Sequence, residues 1–111
     1  MAKQTKEEAL AEFLDSLDCP VIVEGKRDCE ALVKLGVAPE DIIILNKGQT
    51  LVETMEALQG IGEVAILTDL DGEGKRLRRR LLAMFSMHGL RENPRPRELF
   101  AKLRISSVEG L

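Results

Sequence analysis

The sequence contains few aromatic or sulfur-bearing side chains. Among its 111 residues there is no Trp and no Tyr, and there are three Phe, two Cys and one His. The core must therefore be mainly aliphatic, and stacking of nucleic-acid bases on aromatic side chains is excluded as the main binding mode. Cys19, Cys29 and His88 supply too few ligands for a zinc site, so we interpret both cysteines as structural in a reducing compartment.

Long apolar runs are also missing. The longest have four or five residues, and Met1 is followed by Ala, Lys and Gln. A membrane-spanning helix needs about 20 mostly apolar residues, and a secretory signal needs a continuous apolar segment, so neither is predicted. We expect a cytoplasmic protein that makes no membrane contact, and the length suits one compact domain.

Charge is distributed unevenly along the chain. Residues 1–71 carry 6 basic and 15 acidic side chains, net −9, whereas residues 72–104 carry 10 basic and 3 acidic side chains, net +7. Such a basic segment is typical of a surface that faces a polyanion, but a solvated helix face has the same pattern. Charge alone leaves both interpretations open.

The apolar pattern predicts helices that alternate with short strands. Helical spacing and capping motifs predict helices over residues 5–17, 28–35, 51–59, 75–87 and 96–103. In the second of these, Asp28 is expected to be the N-cap. Continuous aliphatic runs are typical of strands buried on both faces, and they occur at residues 21–23, 42–45 and 64–67.

These elements predict the fold class. Helices between buried strands imply crossover connections, so we predict a three-layer α/β fold with a mostly parallel, four-stranded sheet flanked by helices, Rossmann-like in organisation. The fourth strand is expected near Ile105. We expect a single domain, in which an N-terminal helix within residues 1–19 packs on residues 20–111.

Acidic side chains follow the first and third predicted strands. Glu24 comes after the first, and Asp69, Asp71 and Glu73 come after the third. Ligands of parallel sheets bind at the carboxyl ends of the strands, so these side chains are expected to meet. Grouped carboxylates repel one another unless a cation lies between them, and their oxygens suit Mg²⁺ or Mn²⁺. We predict Glu24, Asp69 and Asp71 as catalytic residues and, together with Glu73, as metal ligands.

Glycines and cations accompany these acids. Glycines where a helix begins leave backbone amides accessible to an anion, and nearby lysine and arginine side chains neutralise phosphates. The expected phosphate-binding residues are Gly25, Lys26, Lys47, Gly48, Lys75 and Arg76. Each short motif taken alone is equally typical of an ordinary turn, so the prediction depends on their joint occurrence after three strands.

Two segments resemble the signature motifs of a known family. Residues 21–28, which include Glu24-Gly25-Lys26, and residues 66–74, which include Asp69-Leu70-Asp71, are similar to the two motifs of the Toprim family. That family includes topoisomerases, bacterial primases, repair nucleases and a ribonuclease that matures ribosomal RNA. The likeness is greatest to that ribonuclease and to small stand-alone Toprim proteins. It implies Glu24 as general acid/base or metal ligand, and Asp69 and Asp71 as magnesium ligands.

The resemblance implies Mg²⁺-dependent phosphodiester chemistry on nucleic acid, RNA or DNA, with cleavage by a stand-alone nuclease as the leading hypothesis. Without Tyr, this chain alone cannot form the covalent tyrosine link of a topoisomerase. A protein partner could supply specificity. One alternative is a non-catalytic, metal-dependent module that binds nucleic acid or nucleotides. A small phosphatase of the haloacid-dehalogenase type is less favoured, because Glu73 stands where that family has Thr.

Overall fold

The computed structural model describes residues 4–45, 48–103 and 108–111. Its helices are α1 (Lys6–Asp15), α2 (Lys26–Lys34), α3 (Leu51–Ala57), α4 (Gly72–Met87) and α5 (Arg95–Lys102). Its strands are β1 (Val21–Val23), β2 (Ile42–Ile44), β3 (Glu63–Ile66) and β4 (Arg91–Glu92). Short 3₁₀ turns occupy Pro39–Asp41 and Val108–Gly110.

The strands form one parallel sheet in the order β2-β1-β3-β4. The central strand β1 places Val21 opposite Ile42 on one side and opposite Ala65 on the other. All three residues of β1 are fully buried, as a continuous aliphatic run predicts for a strand covered on both faces. The predicted α/β class with a four-stranded, parallel sheet is confirmed.

Alternate residues of the central strands point into two apolar cores. On one face Val21, Val23 and Ala65 pack with Phe13 of α1 and Phe100 of α5. On the other face, the buried residues Ile22, Val64 and Ile66 pack with residues of α3, its C-cap and α4, namely Met55, Leu58, Leu81 and Phe85. The sheet is therefore the middle of three layers. The division into residues 1–19 and 20–111 stays a prediction.

The fourth strand is not the predicted one. The strand expected near Ile105 falls outside the described residues, and β4 is instead formed by the polar pair Arg91 and Glu92. It is held to β3 by backbone hydrogen bonds from Arg91 to Gly62 at 2.8 Å and from Asn93 to Val64 at 3.0 Å. Because both residues are charged, no apolar run marked this edge strand.

Two helix starts also differ from prediction. Helix α4 begins at Gly72 rather than at residue 75, with Asp71 as its N-cap. Helix α2 begins at Lys26 with Gly25 as N-cap, so the prediction that Asp28 caps it was wrong. The Asp28 carboxylate instead accepts a hydrogen bond from the Gly25 N–H at 3.0 Å. In the part of the chain that the structure describes, no helix is long and apolar enough to cross a membrane.

Candidate active site

The carboxyl ends of β1 and β3 bring Glu24 and Asp69 into direct contact. The Oε2 atom of Glu24 accepts a hydrogen bond from the backbone N–H of Asp69 at 2.6 Å, across a sequence separation of 45 residues. The contact follows from strand pairing. Ile22 of β1 lies opposite Ile66 of the parallel strand β3, so the segments that follow the two strands leave the sheet at the same end. Both residues are partly buried.

The electrostatics of this edge suit a cation. Burial, and after it the negative charges of Glu24, Asp28 and Asp71, together raise the pKa of Asp69 to about 6. These carboxylates therefore repel one another when ionised, and a divalent cation among them would relieve the repulsion. Carboxylate oxygens are the ligands that Mg²⁺ and Mn²⁺ prefer, so the donor set fits such an ion.

Asp71 is placed differently from the other two acids. Its Oδ1 atom accepts a hydrogen bond from the N–H of Gly74 at 2.7 Å and so caps α4. Among the described residues, the one group of three or more acidic, Cys or His side chains whose ligand atoms all lie within 4.8 Å of one another is Asp18, Cys19 and Glu63, at the amino ends of the strands. Glu24 and Asp69 are thus in contact, whereas the Oδ1 atom of Asp71 is engaged as a helix cap.

A buried arginine donates hydrogen bonds to the Asp69 loop from the protein interior. Arg97 of α5 is 9% exposed, and its guanidinium donates hydrogen bonds to the carbonyl oxygens of Ile66, Thr68 and Asp69. Arg97 belongs to the basic segment 72–104, for which a surface that faces a polyanion and a solvated helix face are both open interpretations, and because its side chain is buried neither applies to this residue. Its acceptors are backbone atoms about 30 residues away, which no sequence pattern reveals.

Arginines of α4 border the acidic pair. One depression is lined by Glu24, Glu73, Arg76, Leu77 and Arg80. An adjoining depression shares Glu24, Leu77 and Arg80 and is completed by Leu45 and Leu51. Sequence reasoning missed Arg80 as a site residue. The spacing of residues 73, 76, 77 and 80 could have identified it, because positions i, i+3, i+4 and i+7 share one face of a helix.

The remaining predicted phosphate-binding residues that the structure describes do not line this depression. Lys26 and Lys75 are exposed. Gly48 is exposed and has a positive φ of 78°, and Lys47 lies outside the described residues. The N–H of Gly25 already donates to Asp28. The structure therefore brings Glu73 and Arg76, but not the whole predicted phosphate-binding set, into one depression with Glu24.

Comparisons with known proteins agree with this fold. The family model of the Toprim domain matches residues 19–103 of this chain. The matched residues include the acids at the carboxyl ends of β1 and β3. The UPF0292 protein of Methanocaldococcus jannaschii is 33% identical over 94% of this chain and 88% of its own length. That of Pyrococcus abyssi is 37% identical over 94% of this chain and 80% of its own length.

A solved structure of a protein from Aquifex aeolicus superposes with a TM-score of 0.82 at 26% identity, over 98% of this chain and 100% of that one. The chain belongs to the Toprim family, and UPF0292 proteins are among its relatives. The resemblance drawn from the two motifs is thereby confirmed. Membership indicates a metal-dependent function related to nucleic acids.

Proposed function

We propose that the chain carries out Mg²⁺- or Mn²⁺-dependent cleavage of phosphodiester bonds in RNA or DNA, in the cytoplasm, as a stand-alone Toprim nuclease. The contact between Glu24 and Asp69 is the observation that supports this most. Glu24 of this pair lines a depression together with Glu73, Arg76 and Arg80, where a polyanion would meet both signs of charge. A divalent cation between the acids and a phosphate would reconcile these charges.

The proposal gives each residue a role. Glu24, Asp69, Asp71 and Glu73 would hold the ion, which, when bound, polarises a phosphoryl group and stabilises a leaving oxygen. Glu24 commits Oε2 to the Asp69 N–H, so we assign general acid/base action to its other oxygen. Arg76 and Arg80 would neutralise neighbouring phosphates of the strand. Specificity for one RNA or DNA would come from a protein partner.

A second function is favoured by the placement of Asp71. Its carboxylate is engaged as a helix cap and is not gathered with Glu24 and Asp69. A site with only two assembled acids suits metal-dependent binding of nucleic acid or nucleotides without turnover. Binding that weakens steeply with salt, in the absence of cleavage with either metal, would favour this module over the nuclease.

Incubation of the protein with end-labelled structured RNA and with plasmid DNA, in Mg²⁺ or Mn²⁺, tests the nuclease. We expect metal-dependent cleavage that is lost in Glu24→Gln and in Asp69→Asn. Matched controls are Glu56→Gln on α3 and Asp15→Asn on α1, both exposed, which should cleave like the wild type. Cleavage that persists at wild-type rate in Glu24→Gln and Asp69→Asn would place the chemistry elsewhere.

A further inference from the structure

Arg97 makes an unusual set of contacts for a charged side chain. Its Nη1 atom donates to the carbonyl oxygen of Thr68 at 2.8 Å, to that of Ile66 at 3.2 Å and to the Thr68 hydroxyl at 3.2 Å. Its Nη2 atom donates to the carbonyl oxygen of Asp69 at 3.1 Å. All of these acceptors lie on the short segment that leads from β3 into the candidate site.

This arrangement is costly for the fold. Burial lowers the pKa of the Arg97 guanidinium, as does the positive charge of Arg78. The ion pairs among the described residues do not include Arg97, so no carboxylate neutralises it in direct contact. An apolar side chain would fill the same space without this penalty. The planar guanidinium, however, offers several donors in a fixed geometry that neither Lys nor Met can reproduce.

The contacts converge on one peptide group. The Thr68 carbonyl, which accepts from Arg97, and the Asp69 N–H, which donates to Glu24, belong to the same planar peptide unit and point in opposite directions. A donor at the carbonyl polarises the amide and strengthens its N–H as a donor. A hydrogen-bonded chain therefore runs from Arg97 through this peptide to the Glu24 carboxylate.

We propose that Arg97 is a positioning residue, which clamps the Thr68–Asp69 peptide from the interior so that its N–H holds the Glu24 carboxylate in place. The inference deepens the proposed function and its metal-binding consequence rests on it. Arg97 acts through the backbone and touches neither metal nor substrate. The separation of Glu24 and Asp69 in the metal-free protein is then set by a side chain of α5, which packs on the face of the sheet opposite to α4.

Proton NMR of the ¹⁵N-labelled, metal-free protein tests the clamp. We expect the Asp69 amide of the wild type to resonate far downfield and to exchange slowly with solvent. In Arg97→Met and Arg97→Lys it should move upfield and exchange about tenfold faster or more, since both lose the fork. Arg95→Met on the same helix, which removes an exposed ion pair with Glu12, is the control and should leave this amide unchanged. An unchanged Asp69 amide in either folded Arg97 variant would overturn the clamp.

The unaltered protein decides the case in which both variants fail to fold. The Nη protons of Arg97 should then exchange more slowly than those of exposed Arg79, and equally fast exchange would overturn the proposal.

Mn²⁺ titration separates this inference from the proposed function. Loss of a residue that orients a metal ligand without itself binding the metal is expected to lower the metal affinity by about tenfold. Wild-type protein that binds no Mn²⁺ would contradict the proposed function, whereas the amide measurement would still decide the role of Arg97. Unchanged Mn²⁺ affinity in variants that have lost the downfield amide would overturn the link between the clamp and the metal site.

Discussion

Gly74 lies so close to Asp69 that a Cβ atom on Gly74 would stand 2.0 Å from the Asp69 carbonyl oxygen and 2.8 Å from its nitrogen. The first turn of α4 thus presses on the loop that Arg97 holds from the other side. The Thr68 hydroxyl ties the two together by donating to the Gly74 carbonyl oxygen at 2.7 Å. This close packing explains a glycine inside a helix, where it costs up to about 1 kcal/mol relative to Ala.

Gly74→Ala should therefore displace the Asp69 backbone. We expect a loss of about 1 to 3 kcal/mol in the free energy of unfolding, because the added methyl overlaps backbone atoms that cannot rotate away. Mn²⁺ binding should weaken with it. Gly72→Ala is the matched control, since its Cβ would meet only the end of the Arg76 side chain at 3.9 Å. Urea unfolding of both variants checks this, and equal stability would contradict it.

The ion pair between Arg78 and Glu92 should contribute more to stability than the other pairs. The Arg78 Nε atom donates to Glu92 at 2.8 Å, and the two side chains are 31% and 9% exposed. Arg78→Met would leave a buried carboxylate without its partner, so we expect a loss of about 2 to 3 kcal/mol in urea unfolding. Arg95→Met, which breaks a pair exposed by 57% and 39%, should cost less than about 1 kcal/mol. A similar cost for both would contradict the assignment.

The layers of the fold could be predicted because burial on both faces leaves a strong signal. Runs such as 21–23 and 64–67 are continuous in apolar character, and neighbouring helices carry caps that sequence identifies, such as Thr50 with Glu53. Strand β4 left no such signal, because Arg91 and Glu92 are held by backbone pairing at the sheet edge. Local pattern cannot reveal a strand that exists only through its neighbour.

The candidate site was predictable to the same extent. Glu24 and Asp69 follow buried strands, so parallel topology alone predicts that they meet. The start of α4 was placed too late because Gly72 and Gly74 have low helix propensity, whereas Gly74 is required by its contact with Asp69. In the sequence, Arg97 cannot be distinguished from the exposed arginines of the same basic segment. Only the three-dimensional fold gives it buried carbonyl acceptors.

The two roles assigned to Asp71 can be separated by substitution. Asn caps a helix as well as Asp does, so Asp71→Asn should keep wild-type stability, whereas Asp71→Ala should lose about 1 kcal/mol. If Asp71 is also a metal ligand, both variants should weaken Mn²⁺ binding by about tenfold or more. Urea unfolding and Mn²⁺ titration check this. Wild-type Mn²⁺ affinity in Asp71→Asn would leave Asp71 as a cap alone.

Arg76 and Arg80 should carry part of the nucleic-acid affinity. Both line the depression together with Glu24. The slope of log affinity against log salt is negative, and each charge removed should reduce its magnitude by about 1. Arg91→Ala is the control, because Arg91 is exposed and lies at the start of β4, at the opposite end of the parallel sheet. Fluorescence anisotropy with a labelled oligonucleotide at several salt concentrations measures these slopes. Equal slopes for Arg80→Ala and Arg91→Ala would contradict binding in this depression.

The metal-free protein should lose stability as Asp69 ionises. Burial and the charge of Glu24 raise the pKa of Asp69 from 3.8 to about 6, so between these values the folded state binds more protons than the unfolded state. Stability from this group therefore falls as pH rises from about 4 to about 7, and then levels. Because Asp69 is partly exposed, we expect a change of about 1 kcal/mol.

Comparison with Asp69→Asn isolates this effect from the titration of other carboxylates. The variant should be more stable than the wild type at pH 7.5 without metal, and the difference should shrink towards pH 4.5. Added Mn²⁺ should reverse the order at pH 7.5, because only the wild type gains a bound cation. Urea unfolding at both pH values, with and without Mn²⁺, measures these differences. A stability difference that is independent of pH and of metal would show that ionised Asp69 is not destabilised by burial and by its acidic neighbours, so that a cation would have no repulsion to relieve.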